Sequence, residues 1–245
     1  MGCAGVAWSV LRAEHMTTAQ SGPQSALWMA QLVECGQQGS VAPTESGPFD
    51  LCDLKEMGMT TRWRPEFDPE HLYFVTTTAV NRSHIFQRDI VKRIVVDSLH
   101  CVCLMNNVAL YNFVVMPNHV HVIIQCPTEF PPGDWARAFK AGASQLIVRL
   151  YQMERNARAL EQLAAAVTWT ERQAHKVWED GYLAKDCVTP EFVIQKAEYT
   201  HNNPTQPHWA LVERPQDYLW SSARFYLEDD RPCLIPLHDL RDLLG

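Results

Sequence analysis

Hydrophobic and polar positions change rhythm near residue 60. Up to about residue 58, Gly, Ser, Gln and Pro recur, as in Gln20-Ser21-Gly22-Pro23 and Gly36-Gln37-Gln38-Gly39-Ser40. Little apolar periodicity is sustained there, which predicts a mostly disordered leader over residues 1–58, with a short helix at 27–33. Met57 and Met59 stand just before the regular pattern, so either is an expected native start. From residue 59 the pattern becomes regular. Residues 72–78 are aromatic and β-branched and predict a strand. Residues 89–105 carry Ile90, Ile94, Leu99 and Val102 near helical spacing. Residues 108–115 predict a second strand, Pro117-Asn118 a turn, and 119–125 a third strand, so the two strands form a hairpin. Residues 135–151 predict a helix with Phe139, Leu146 and Leu150 on its apolar side, and 156–170 continue helical and Ala-rich. Residues 178–188 read as a fourth strand or a loop. Thr189 as N-cap, Pro190 at N1 and Glu191 in the first turn start a helix over 189–203, which Pro204 ends.

This order is strand, helix, strand, strand, helix, strand, helix. It predicts an α+β fold: a mainly antiparallel sheet with helices packed on one face, in ferredoxin-like topology. The domain spans residues 59–228, and 229–245 form a C-terminal tail.

Composition bounds the function. A chain of 245 residues is long enough for one sizeable buried core. Its 47% hydrophobic and 20% charged residues are ordinary for a globular protein. The longest apolar runs, such as 113–116 and 122–124, are far too short to span a bilayer. The first residues lack the basic start, apolar block and cleavage site of a secretory signal, so a cytoplasmic location without membrane partners is expected. Among eight cysteines, Cys101 and Cys103 form C-x-C and no C-x-x-C occurs. That argues for reduced thiols rather than a structural zinc. Net charge is −7, but residues 62–228 hold 17 Lys and Arg against 18 Asp and Glu. Most of the acidity therefore sits at the two ends. No global positive field supports tight nonspecific nucleic-acid binding, although a local basic patch remains open.

The chemistry concentrates in two segments. In Pro117-Asn118-His119-Val120-His121, alternation along a strand sends both imidazoles to one face, where they can share one divalent ion. The bland alternative is two histidines on a half-exposed strand. Amidohydrolases and metallo-β-lactamase-like hydrolases also use H-x-H, but the latter continue with Asp and another His, whereas Val122-Ile123-Ile124 follows here. In the helix over 189–203, Tyr199 and Asn203 are i and i+4, so they share a face, with Gln195 one turn earlier. A phenol needs activation to attack at neutral pH. An ion polarising a phosphate, completed by an amide oxygen such as that of Asn203, fits that need. A lone helical Tyr is otherwise a packing residue.

Pro117-Asn118-His119-Val120-His121, Tyr199-Thr200-His201-Asn202-Asn203-Pro204 and Trp220-Ser221-Ser222 occur in an order and spacing that resemble the single-tyrosine HUH transposases, within them the REP-associated tyrosine transposases. Trp178-Glu179-Asp180-Gly181-Tyr182 also resembles a segment of that group. The resemblance implies that His119 and His121 are metal ligands. Tyr199 attacks a DNA phosphate to give a 5′-phosphotyrosine and a free 3′-OH. Asn203 is the implied third ligand, with His201 as a substitute. It further implies Mg²⁺ or Mn²⁺, a single-stranded or hairpin DNA partner, and a monomer or homodimer. Arg82, Lys140 and Arg149 are candidate phosphate contacts, against ordinary solvated charge. Trp220 is a candidate base-stacking residue, against an anchor for the last segment. Two alternatives stand beside this reading: a catalytically inactive, domesticated DNA-binding protein, and an H-x-H metallohydrolase of a small molecule.

Overall fold

The computed structural model describes residues 67–168, 173–228 and 233–244. The expectations for the leader, for a helix at 27–33 and for a start at Met57 or Met59 lie outside them. Strands β1 (Leu72–Thr78), β2 (Ala109–Val115), β3 (His119–Gln125) and β4 (Leu183–Cys187) form one sheet in the order β2-β3-β1-β4. Every pairing is antiparallel. With a helix between β1 and β2 and another between β3 and β4, this is the expected α+β, ferredoxin-like arrangement.

One face is covered by α1 (Asp89–Met105) and α2 (Pro132–Met153). Tyr73, Val75, Val120, Val122 and Ile124 project into it and meet Val91, Val95, Leu99, Trp135, Phe139 and Ile147. The apolar stripe of α1 differs from the expected one. Val91, Val95, Leu99 and Cys103 are buried, while Ile90 is 47% exposed. Apolar residues occupy so many positions of this helix that spacing alone leaves its buried side undetermined; packing against α2 chooses it. A short helix, α3 (Ala157–Ala165), follows α2, and its Asn156 cap accepts from the Ala159 N–H at 3.1 Å.

The fold adds one helix on the opposite face. Helix α4 (Pro190–Asn202) begins as its cap predicts, with Thr189 Oγ1 accepting from the Phe192 N–H. It lies over Leu72, Phe74, Tyr111 and Ile123 and buries Val193 against them. β1 and β3 are thereby covered on both faces. Described residues of the C-terminal segment join this cover. Leu240 is buried with the same cluster, the His238 N–H donates to the Leu110 carbonyl at 2.8 Å, and Tyr226 donates to the Tyr111 carbonyl at 2.6 Å.

A bulge in β2 lies between Leu110 and Asn112. Residues normally alternate between faces, but the extra residue lets Tyr111 and Asn112 both serve the α4 side. Asn112 is fully buried, and its Nδ2 lies 2.8 Å from His201 Nε2 on α4. The same ring nitrogen lies 2.9 Å from Ser222 Oγ. Ser222 also accepts from the Phe113 N–H at 3.0 Å. The Trp220–Ser222 segment runs along the outer edge of β2, with the Val115 N–H donating to the Trp220 carbonyl and the Ser222 N–H to the Phe113 carbonyl. It thereby covers an edge that would otherwise expose unpaired backbone. Ser221 Oγ, rather than Ser222, accepts from the first N–H of the helix α5 (Ala223–Leu227). The five cysteines among the described residues are free thiols. No described helix is long and apolar enough to cross a membrane.

Ser222→Ala strips His201 and the Phe113 amide of a buried partner. The expected cost is about 1–3 kcal/mol, read as a lower urea midpoint with an unchanged slope. An unaltered midpoint would remove this junction from the account of how α4 is held.

Candidate active site

The sheet's two-residue period sets the site. On β3, Val120 and Val122 enter the helical core, so His119 and His121 project to the α4 face, with ring centroids 4.6 Å apart. His121 is 5% exposed and stacks on Phe74 at 5.2 Å. The β1–β3 register sets Thr76 opposite His121, and Thr76 Oγ1 lies 2.8 Å from its Nδ1. His119 Nδ1 lies 2.6 Å from Asn118 Oδ1. Asn118 Nδ2 donates to the Arg82 carbonyl at 3.0 Å, which orients the amide. Its Oδ1 can only accept, so His119 Nδ1 carries the proton and Nε2 the lone pair.

Burial pushes His119 down to about 4; the Asn203 amide opposes the shift, and the charges of His208 and Arg82 add to it. Burial also pushes His121 down to about 3, reinforced by His119 and Lys196. Both rings are therefore neutral near pH 7, the state in which imidazole binds a metal.

Two buried polar atoms here lack a hydrogen-bond partner: His121 Nε2 and Asn203 Oδ1. Asn203 is 4% exposed and interacts with His119 without closing a hydrogen bond through that oxygen. An unpaired buried acceptor costs free energy, and two of them beside a second imidazole fit the donor set of a divalent ion. Tyr199 stands on the same side. Its ring lies edge-on to His121 at 5.3 Å and to Phe74 at 6.0 Å, and it is 48% exposed. Lys196 Nζ sits 5.6 Å from the Tyr199 ring centroid and 5.5 Å from that of Phe74. Tyr199 on α4 thus meets His121 on β3 within one chain.

Other candidates separate. Arg82 is exposed, and its charge reaches His119, so it borders the site. Arg149 is exposed on α2, the helix on the far side of the sheet. Lys140 is not a free phosphate contact: its Nζ donates to the Glu179 carbonyl at 2.6 Å and the Gly181 carbonyl at 2.7 Å, tying down the turn after Trp178. Trp220 is not a stacking platform either. It is 9% exposed, and its indole N–H donates to Asp89 at 3.1 Å, so it acts as the anchor. His201 faces Asn112 and Ser222 in the interior, away from the ligand role. Sequence reading missed Thr76, Phe74 and Lys196. The first two needed the strand register; Lys196, one turn before Tyr199, was open to the i, i+3 rule. The metallohydrolase alternative needed further His or Asp ligands, and the described residues group no three or more His, Cys, Asp and Glu around a common point.

Solved structures similar to this chain include two of note. One is a REP-associated tyrosine transposase bound to a REP hairpin, at 14% identity and TM-score 0.49, covering 74% of this chain and 93% of that one. The other, from Deinococcus radiodurans R1 and described as a candidate transposase, has 17% identity and TM-score 0.36, covering 58% and 97%. No curated protein matches. The assignment rests on the family model described as "Transposase IS200 like", which matches residues 70–203, more than half of the chain. The chain belongs to the IS200-like transposase family and is a DNA-processing enzyme of that kind.

Proposed function

We propose that this transposase cleaves and rejoins single-stranded DNA through a covalent bond to Tyr199, with His119, His121 and Asn203 holding a divalent Mg²⁺ or Mn²⁺. The observation that carries this reading is the pair of orphaned buried atoms, His121 Nε2 and Asn203 Oδ1, beside an exposed phenol. When bound, the ion supplies charge neutralisation for the phosphate.

The remaining chemistry belongs to the chain. Tyr199 Oη attacks phosphorus, the phenolic proton passes to solvent, and the bond to the 3′ oxygen breaks. That oxygen takes up a proton and leaves as a 3′-OH, while the 5′ phosphate stays on the tyrosine. A 3′-OH attacking the phosphotyrosine reverses these bond changes and rejoins a strand without an external energy source. Lys196 beside the phenol and Arg82 beside His119 supply positive charge for phosphate oxygens. Thr76 and Asn118 orient the two rings, the role that outer hydrogen-bond partners play for ligating histidines.

The test is an adduct assay with single-stranded hairpin DNA and Mn²⁺. Wild type is expected to give a DNA–protein adduct that survives denaturation. Tyr199→Phe is expected to abolish it while DNA binding persists. Binding without any wild-type adduct would instead favour the non-catalytic, DNA-binding alternative. His119→Ala and His121→Ala are each expected to weaken Mn²⁺ binding and cleavage. For the ring-orienting residues, Thr76→Val and Asn118→Ala are expected to lower Mn²⁺ affinity by about 10- to 100-fold, measured by calorimetric titration. Unchanged affinity in both would disconnect these partners from the ligands.

A further inference from the structure

After Asn202 the chain makes a 3-10 turn over Asn203–Thr205 and folds back on itself. The Leu211 N–H donates to the Pro204 carbonyl at 2.9 Å, and the N–H groups of Trp209 and Ala210 donate to the Gln206 carbonyl at 2.8 Å. Ala210 adopts a left-handed φ of 43° to close this loop. The backbone that carries Asn203 therefore also fixes Trp209. The Trp209 ring lies 5.8 Å from the His119 ring, 5.6 Å from that of His84 and 5.6 Å from that of His208. It is half-buried.

Trp209 also lines a groove of about 600 Å³, together with His84, Pro117, His208 and Leu219 among others. Its charged groups are already engaged. Lys92 Nζ donates to the Gln87 carbonyl and to Asp89, and Asp89 also accepts from Trp220. Asp217, which also lines the groove, is paired with Arg214 at 2.7 Å, so the lining charges are matched and offer phosphate little attraction. What it offers is an aromatic wall, an exposed Leu219, and two exposed imidazole edges that can donate or accept hydrogen bonds. Such a lining suits an uncharged flat heterocycle. The groove shares the Trp209 wall with His119, so that heterocycle and the reacting phosphate would be neighbours.

We propose that Trp209 and this groove form a nucleobase subsite. The indole stacks the base of the nucleotide flanking the phosphate that Tyr199 attacks, and His84 and His208 meet the base edges. This inference rests on the active-site reading above. It also deepens it: a base inside a duplex has no free face to give Trp209, so the flanking nucleotide must be unpaired.

The test uses the full chain carrying Tyr199→Phe, so that binding is measured without chemistry. The probes are a fluorescein-labelled thymidine strand of about 12 nucleotides and an abasic strand of the same length and charge. The Tyr199→Phe protein should prefer the thymidine strand. Adding Trp209→Leu, which keeps an apolar cover on His119 but removes the π face, should cut thymidine-strand affinity about 5- to 150-fold. Abasic-strand affinity should not change, and Trp209→Phe should retain most of the preference. Equal losses on both strands, no loss on either, or no initial preference would each overturn the subsite. The outcome is independent of the adduct assay. Base discrimination without an adduct leaves the subsite standing and removes the phosphotyrosine chemistry; an adduct without discrimination does the reverse.

Discussion

The attachment of α4 to the sheet is the constraint on which the site depends. Tyr199 and Asn203 belong to one short helical stretch, whereas the imidazoles belong to β3. Nothing local brings them together. The contact is made by Val193 packing over Phe74 and Ile123, and by His201 reaching through the interior to Asn112 and Ser222. A buried polar junction of this kind is directional in a way that apolar packing is not. It accepts one rotation of the helix about its axis and rejects others, because any other leaves Asn112, His201 and Ser222 without partners. That same rotation turns Tyr199 toward His121 and Asn203 toward His119.

The junction differs in kind from the site it supports. Around His201 the polar atoms are satisfied by each other, apart from one Asn112 oxygen. At His121, Nδ1 is bonded to Thr76 while Nε2 is left open. Burial keeps the three histidines neutral in both places, pushing His201 down to about 4 as it does His119. The first arrangement consumes its donors and acceptors to hold a helix. The second preserves lone pairs for something else. This contrast separates a structural histidine, His201, from a candidate ligand, His121.

Charge is handled locally as well. The chain carries a net −7 and presents no broad positive surface by composition. At the site, Lys196 lies over the Phe74, Phe192 and Tyr199 rings, and Arg82 borders His119. In the neighbouring groove the lining acids Asp89 and Asp217 are paired with Lys92 and Arg214. The arrangement concentrates attraction where a phosphate would react and leaves aromatic surface where a base would lie. An enzyme organised in this way draws its contacts from few residues rather than from a field over the whole molecule.

Local periodicity made a large part of this legible in the sequence. The strand pattern places His119 and His121 on one face, the helical pattern places Tyr199 beside Asn203, and Thr189-Pro190 starts α4 where it does. These depend only on the geometry of a strand or helix, which neighbouring residues fix. The order of elements likewise led to the antiparallel α+β sheet. What lay beyond the sequence depends on how distant segments meet. The choice of face for α4, the pairing of Thr76 with His121, the bulge that turns Asn112 inward and the burial of Trp220 are of this kind. So are the capture of Lys140 by two carbonyls and the place of Trp209 beside His119. Each follows from register and packing across many residues, and a free chain carries no local signal for either.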